Sequence, residues 1–329
     1  MDFDIVPFEV KHIESAARLV SARYRQLCGK VPALPARYAD ASTLSELLAD
    51  LLKTGSGAAA IREGSLIGFI TAWQLASLLG KPGSFSPEWA NTVAGTDGRH
   101  VYEALYTHLA PTWRAHRFDS HWISLLADDA AGLECWQWLG FGMVAADAVR
   151  SLAPVSRADS NEGGIRQAGP RDLETVLSLD RALFRHIAGP PIYLIDDEWP
   201  TRAEYEAWLH DPQVAVWIAE ATEEAIGFLT IGPEVQDACT IIRDEGTASV
   251  IAAFTREEVR GKGVATGLLN RALTWAKDHG YERCAVDFEP MNPPARRFWT
   301  RHFDPVAYTV VRYTGAFEGK DGGPGTGDG

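Results

Sequence analysis

The stretch RGKGVATGLL, Arg260 to Leu269, sits where one kind of chain hands over to another. Before it runs Thr247 to Phe254 (TASVIAAF), an apolar segment rich in β-formers that reads as a strand. After it, Ala265, Leu268, Leu269, Ala272 and Ala276 recur at spacings of three and four. That spacing predicts a helix to about Asp278, closed by Gly280 at the C′ position. Gly261 and Gly263 lack a Cβ, so the backbone here is free to turn tightly and bring its amides close to a ligand. The first N–H groups of a helix have no internal partner and carry partial positive charge. Arg260 and Lys262 add full charges. Glycine turn, helix start and cations together make a site for an anion such as a pyrophosphate.

The next forty residues sharpen the reading. Cys284 to Glu289 (CAVDFE) is another predicted strand, and Asn292-Pro-Pro-Ala295-Arg-Arg-Phe298-Trp299 opens another helix. The spacing Arg260-x-x-Gly263-x-Ala265 between strand and helix, then strand, then N-x-x-A-x-x-F-W, resembles the acyl-CoA site of the GNAT N-acyltransferase superfamily. The resemblance implies an α/β fold with a mixed sheet flanked by helices. It also implies direct acyl transfer from an acyl-CoA, most simply acetyl-CoA, to a primary amine, with no covalent enzyme intermediate and no metal. The function expected is therefore an N-acetyltransferase. A decayed CoA-binding sensor or scaffold is the alternative.

The resemblance places residues as well. Val259, Arg260, Gly261, Lys262, Gly263, Val264 and Ala265 would hold the cofactor phosphates. Backbone amides near Phe254 and Thr255 would face the thioester, Asn292 would touch the pantetheine arm, and Arg297 and Trp299 would also bind the cofactor. Asn292 followed by Pro293 also suits a helix N-cap. The chain departs from the family at Trp299, where a tyrosine would protonate the departing thiolate; an indole is no acid. Tyr308, Tyr313 and Tyr281 are the replacements to consider, with Tyr308 placed by analogy on a late strand near the cleft. An alkylamine with a pKa near ~10.4 needs a base. Glu289, at the C-terminal end of its predicted strand, is the expected one, ahead of Asp287 and the Asp244–Glu245 pair. His186, Tyr193 and Asp197 lie in the segment Arg185 to Trp199 that corresponds to the family's variable substrate loop.

Bulk properties narrow the class. With 329 residues and 46% hydrophobic content the chain has material for two cores. A net charge of −13 argues against a nucleic-acid surface, and the acceptor that the resemblance implies is a small-molecule or peptide amine. Cys28, Cys135, Cys239 and Cys284 show neither C-x-x-C nor His/Cys metal spacing and read as reduced thiols. MDFDIVPFEV is not a signal sequence, and Leu66 to Leu79 is too short to span a bilayer. A cytoplasmic protein without membrane attachment, monomeric or homodimeric, is expected.

The chain also repeats itself. Ile5 to Leu19 aligns with Ile165 to Leu179, Ile67–Thr71 with Ile226–Thr230, Trp136 with Trp299, and Val149-Arg150 with Val311-Arg312, all at nearly the same offset. The organisation expected is a GNAT-like domain at 1–152, a polar linker at 153–164, a second GNAT-like domain at 165–315 that binds acyl-CoA, and a disordered Gly-rich tail at 316–329. The first copy is expected to be degenerate. Its loop reads Ala94-Gly-Thr-Asp97-Gly-Arg-His100, with an acid where phosphate would sit, and Pro111 is expected to interrupt the next helix.

Overall fold

The computed structural model describes residues 2–95, 98–155, 164–194, 199–233 and 239–315. Most of the linker and all of the tail lie outside them.

The first half runs β1 (Asp4–Pro7), α1 (Ile13–Lys30), α2 (Ala41–Leu51), β2 (Ser56–Arg62), β3 (Ser65–Leu78), β4 (Lys81–Ser86), β5 (Asn91–Val93), α3 (Gly98–Ala115), β6 (Ser120–Leu126), α4 (Ala130–Trp138) and β7 (Gly142–Ser151). The second half repeats the order: β8 (Ile165–Gln167), α5 (Leu173–Ala188), α6 (Arg202–Trp208), β9 (Ala215–Ala221), β10 (Glu224–Pro233), β11 (Thr247–Thr255), α7 (Val264–Asp278), β12 (Arg283–Phe288), α8 (Pro293–His302) and β13 (Asp304–Tyr313). The interrupted pair β4 and β5 together correspond to the single strand β11.

Local chemistry accounts for these elements. Asp40 caps α2 by accepting from the Ser42 amide at 2.9 Å. Thr201 and Glu204 close a capping box at the start of α6. The β2–β3 turn uses Glu63 and Gly64 at φ 50° and 77°. Thr222 and Glu223, at φ 51° and 67°, make the matching turn in the second half without a glycine. α3 corrects one expectation, since it continues through Pro111 to Ala115. Proline removes one backbone donor, but Tyr102, Leu105, Tyr106, Leu109 and Trp113 bury the helix face on both sides of it, and that packing outweighs the missing bond.

Strand alternation feeds two layers. In the first half Ala58, Ala60 and Ile70 pack beneath α3 and α4, whereas Ala59 and Phe69 pack beneath α1 and α2. The second half repeats this, with α7 and α8 over Val250, Val286 and Phe288, and α5 over Val216, Ile218 and Phe228. Among the described residues no helix is long and apolar enough to cross a membrane.

Among the described residues the halves share one sheet of 13 strands, whose main path runs β1-β2-β3-β4-β6-β13-β7-β12-β11-β10-β9-β8. The last strands are exchanged. β13 of the second half lies antiparallel on β6, from Tyr313↔Ser120 to Ala307↔Leu126. β7 of the first half lies antiparallel on β12, from Arg283↔Ser151 to Phe288↔Ala146. The two exchanged strands pair with each other at the centre. Each half thus completes the other's sheet.

A second set of contacts joins the halves across one face. Glu88 Oε1 accepts from the Ile241 amide at 2.9 Å, and Asp147 Oδ1 from the Cys239 amide at 3.0 Å. Tyr38 Oη donates to the Arg243 carbonyl at 3.0 Å. Residues of the first half therefore hold the segment that leads into β11. Both carboxylates are buried. Burial pushes Asp147 up to about 8, aided by the charge of Asp287 opposite it and of Glu88 nearby. Burial also raises Glu88.

The exchange and the buried carboxylate can each be tested. A chain ended at residue 152 loses β13, which leaves β6 with an open edge and β7 without its central partners. It should aggregate alone but form a soluble 1:1 complex when co-expressed with 153–329. A monodisperse, folded 1–152 monomer by size exclusion would contradict the exchange. For Asp147, the unfolded pKa is near ~3.9 and the folded one is higher, so the folded state binds more proton across that interval. Stability should fall as pH rises from ~4 to about 8 and then level off. Asp147→Asn keeps an oxygen for the Cys239 amide and cannot ionise, so its urea midpoint should depend less on pH between 5 and 8. Parallel profiles for variant and parent would remove Asp147 as the origin.

Candidate active site in the second half

The site begins with two strands that part. β11 and β12 are parallel and in register from Thr247↔Arg283 to Val250↔Val286, and the pairing stops there. β11 stays on β10 through Thr255↔Gly227, but its register slips between Thr230 and Ile231, which leaves Ile251 as an extra residue between Val250 and Ala252. Such a bulge bends and twists a strand. The β12-facing edge of Ile251–Thr255 is therefore not paired by β12, and a cleft of about 930 Å³ opens there.

The glycine loop closes one side of this cleft. After β11 the chain makes a 3₁₀ turn, Glu257–Val259. Gly261 and Gly263 then adopt left-handed φ values of 74° and 82°, and Val264 begins α7. A side chain in that region costs roughly 1–2 kcal/mol. At Gly261 an added Cβ meets no atom within 4 Å, so its glycine is required by conformation and the space before it is open. The Arg260 and Lys262 amides are used in turn bonds to the Glu257 and Val259 carbonyls, while Gly261, Gly263 and the start of α7 line the cleft, an arrangement suited to an anion.

α8 forms the opposite wall. Asn292 is buried and caps it, its Oδ1 accepting from the Ala295 amide at 3.4 Å. The same Oδ1 lies 3.4 Å from Nε2 of His186, which reaches over from α5. Beyond the cap, Arg297, Trp299, Arg301 and His302 line the cleft. Arg260 lines the facing side, its Nε donating to the Thr255 carbonyl at 3.3 Å. No aspartate or glutamate lines the cleft among the described residues. In a chain of net charge −13, that is a local reversal of sign.

Most of the residues expected from the sequence meet here, and some do not. Phe254, Thr255, Val259, Arg260, Gly261, Gly263, Val264, Ala265, Asn292, Arg297, Trp299 and His186 line the cleft. Lys262 is exposed and outside the lining. Glu289 stands just past β12, where its carbonyl accepts from the Asn292 amide at 2.9 Å, but it is also outside the lining. Tyr308 lies on β13, two strands beyond β12, because β7 of the first half occupies the place beside β12. The strand exchange removes the premise that put Tyr308 near the cleft. Tyr313 is exposed at the end of β13, and Tyr281 packs against Trp275 behind α7. Tyr193 is 69% exposed and outside the lining, and Asp197 lies outside the described residues. Sequence reasoning missed Arg301 and His302; their signal was the continuation of the Asn292–Trp299 helix face by one more turn.

The first half shows the same place closed. Asn91, buried in β5, donates through Nδ2 to the Ser86 hydroxyl, the Pro87 carbonyl and, across to β6, the Ser124 carbonyl at 2.9 Å. Tyr102 donates to Asp129 Oδ2 at 3.1 Å, and Arg23 pairs with Asp129 at 3.4 Å. Only about 10 Å³ of space is left among these side chains. Asp97 lies outside the described residues.

The chain is similar in fold to a GCN5-related N-acetyltransferase from Sphaerobacter thermophilus, with a TM-score of 0.55, 14% identity, and 96% of each chain covered. It is also similar to a GCN5-related glucosamine N-acetyltransferase region of a fungal multi-domain GH3 β-N-acetylglucosaminidase, with a TM-score of 0.50 and 14% identity. There the alignment covers 94% of this chain and 38% of the other. No curated protein matches the chain in sequence. The family model described as "Acetyltransferase (GNAT) family" matches residues 181–304, which marks a GNAT-family domain over that span.

Gly263→Asp places a carboxylate in the nest on a residue at φ 82°. Calorimetric titration with acetyl-CoA should show affinity reduced at least ~100-fold by lost amide contacts and charge repulsion. The melting temperature should fall by no more than about 5 °C for ~1–2 kcal/mol of backbone strain. Unchanged affinity would sink the anion-site assignment.

Proposed function

We propose that the chain transfers an acetyl group from acetyl-CoA to an amine in the cleft between β11 and β12. The observation that carries this reading is the parting of these strands onto a glycine nest in a cleft lined by arginines and by no described carboxylate. Unpaired peptide groups on the inner edges suit the amides of a pantetheine arm, and the nest suits its pyrophosphate. The amine nitrogen attacks the thioester carbonyl, the C–S bond breaks, and the products are an amide and the CoA thiol. Arg256 donates its amide to the Ile226 carbonyl beside β10, so by strand alternation the Thr255 amide faces the cleft and is assigned to the oxyanion, a role worth about 10²–10³ in rate.

Proton removal is assigned to His186. Two imidazoles line the cleft, and only His186 is beside Asn292 at the splay. His302 is ten residues further along α8, roughly 15 Å away at 1.5 Å per residue. Glu289, the base expected from the sequence, adjoins the splay without lining it. No tyrosine lines the cleft among the described residues, so the sulfur leaves as thiolate, which a thiol pKa near ~8.5 allows. The buried indole of Trp299 and this missing acid are also what a decayed CoA-binding sensor would show.

Release of free thiol from acetyl-CoA, monitored with a panel of amines including hexosamines, polyamines and peptide amines, separates the two. Turnover with any of them supports the enzyme. Tight acetyl-CoA binding without turnover across a broad panel supports the sensor. Given an acceptor, His186→Gln should lower turnover by about 10²–10⁴ at neutral pH, with the loss shrinking as pH rises and more amine is already neutral. Glu289→Gln should cost less than about tenfold. The reverse order of effects would return the base to Glu289.

A further inference from the structure

The cleft passes through the sheet. Phe228 and Leu229 are consecutive on β10 and point to opposite faces, Phe228 into the cluster under α5 and Leu229 into the cluster under α7. Phe254 and Ala253 on β11 divide in the same way, each opposite its β10 counterpart. All four line the cleft. The parted strands therefore leave an opening with one side toward α7 and α8 and the other toward α5.

The two sides differ in chemistry. The glycine turn, Arg260, Arg297 and Arg301 belong to the side of α7 and α8. On the α5 side the lining is Leu183, Phe228 and Phe254, with His186 and the Asn292 cap as the polar groups at the splay. No arginine, lysine or carboxylate among the described residues lines that side. Leu183 and Phe228 are buried and Phe254 is half-buried, so they form a floor. Asp287 shares this face, since Val286 and Phe288 turn toward α7 and α8, yet neither Asp287 nor Glu289 lines the cleft. Leu194 and Met291 pack against the same cluster and extend its apolar surface. Leu194 is held there by its amide, which donates to the Ile187 carbonyl at 3.2 Å.

The direction of attack follows. With its pyrophosphate at the glycine turn, acetyl-CoA reaches the gap from the side of α7 and α8. The nucleophile then comes from the other side, where His186 stands over the splay.

We propose that the α5 side of the cleft is the acceptor site and that it selects primary amines on an apolar body, alkyl or arylalkyl, over polyamines and amino sugars. This rests on the acetyl-transfer reading of the cleft. A second ammonium group, or the hydroxyls of a hexosamine, would lie against Leu183, Phe228 and Phe254 without a partner, and unpartnered burial of such groups is costly. Each methylene buried on the same floor gains up to about fourfold in binding.

The test measures thiol release by the full chain at saturating acetyl-CoA with the n-alkylamines from propylamine to hexylamine, and with phenethylamine, spermidine and glucosamine. For the parent, kcat/KM should rise about threefold per added methylene, mainly through KM. Spermidine and glucosamine should fall at least ~100-fold below hexylamine. Because no charge pair is used, the hexylamine-to-propylamine ratio should change less than about twofold between ~20 and ~300 mM salt. Leu183→Ala should flatten the series, lowering hexylamine about tenfold through KM and propylamine less. The parent series decides by itself. A flat series, a preference for spermidine or glucosamine, or a ratio in Leu183→Ala equal to the parent's overturns the acceptor class while acetyl transfer stands. So does faster transfer to propylamine from hexanoyl-CoA than from acetyl-CoA, which would give the apolar floor to the acyl chain. Transfer to none of the amines, with acetyl-CoA bound, overturns the acetyl-transfer reading on which the proposal rests.

Discussion

Two strands that part must each be held from the far side. β11 is held by β10 along its length, and β12 by the six-residue ladder to β7. With both outer edges satisfied, the inner edges separate after Val250 without either strand fraying. The peptide groups left facing the gap have no strand partner from across it, and buried peptide groups without partners are costly. A ligand with its own amides relieves that cost. The cleft is thus a consequence of where the sheet spends its hydrogen bonds, and the strand that secures its outer wall comes from the other half of the chain.

This gives the first half a role that does not require binding. Its own version of the splay is filled: Asn91 bridges to Ser124, and Asp129 ties Tyr102 to Arg23. What it contributes is β7 beside β12, and the buried carboxylates of Glu88 and Asp147 that hold the segment leading into β11. Both walls of the second half's cleft are thereby positioned by residues of the first.

Charge is partitioned with equal sharpness. The chain as a whole is acidic, yet the cleft presents Arg260, Arg297 and Arg301 with no described carboxylate among its lining residues. A uniformly acidic surface would repel a polyanion, whereas a local cationic cleft in an acidic surround favours one at a single place. The same partition leaves the acidic groups Asp287 and Glu289 outside the lining of the cleft.

The sequence by itself determined what depends on near neighbours. The glycines of Arg260–Leu269, the periodicity of α7, the Asn292 cap and the repeated element order are set by backbone preference and residues within a turn or two, and the structure carries all of them. Only the tertiary structure decided which strand lies beside β12. Either terminal strand, β7 or β13, has the apolar alternation to fill that place, and strand pairing over such separation leaves no local mark. That one choice moved Tyr308 two strands from the cleft and brought Arg150 of the first half against His302. Pro111 went the same way on a smaller scale: a local rule for helix ending yielded to the packing of α3. Sites built from adjacent residues are legible in a chain. Sites that depend on which distant edge completes a sheet are settled by hydrogen bonds and burial that only the folded whole can rank.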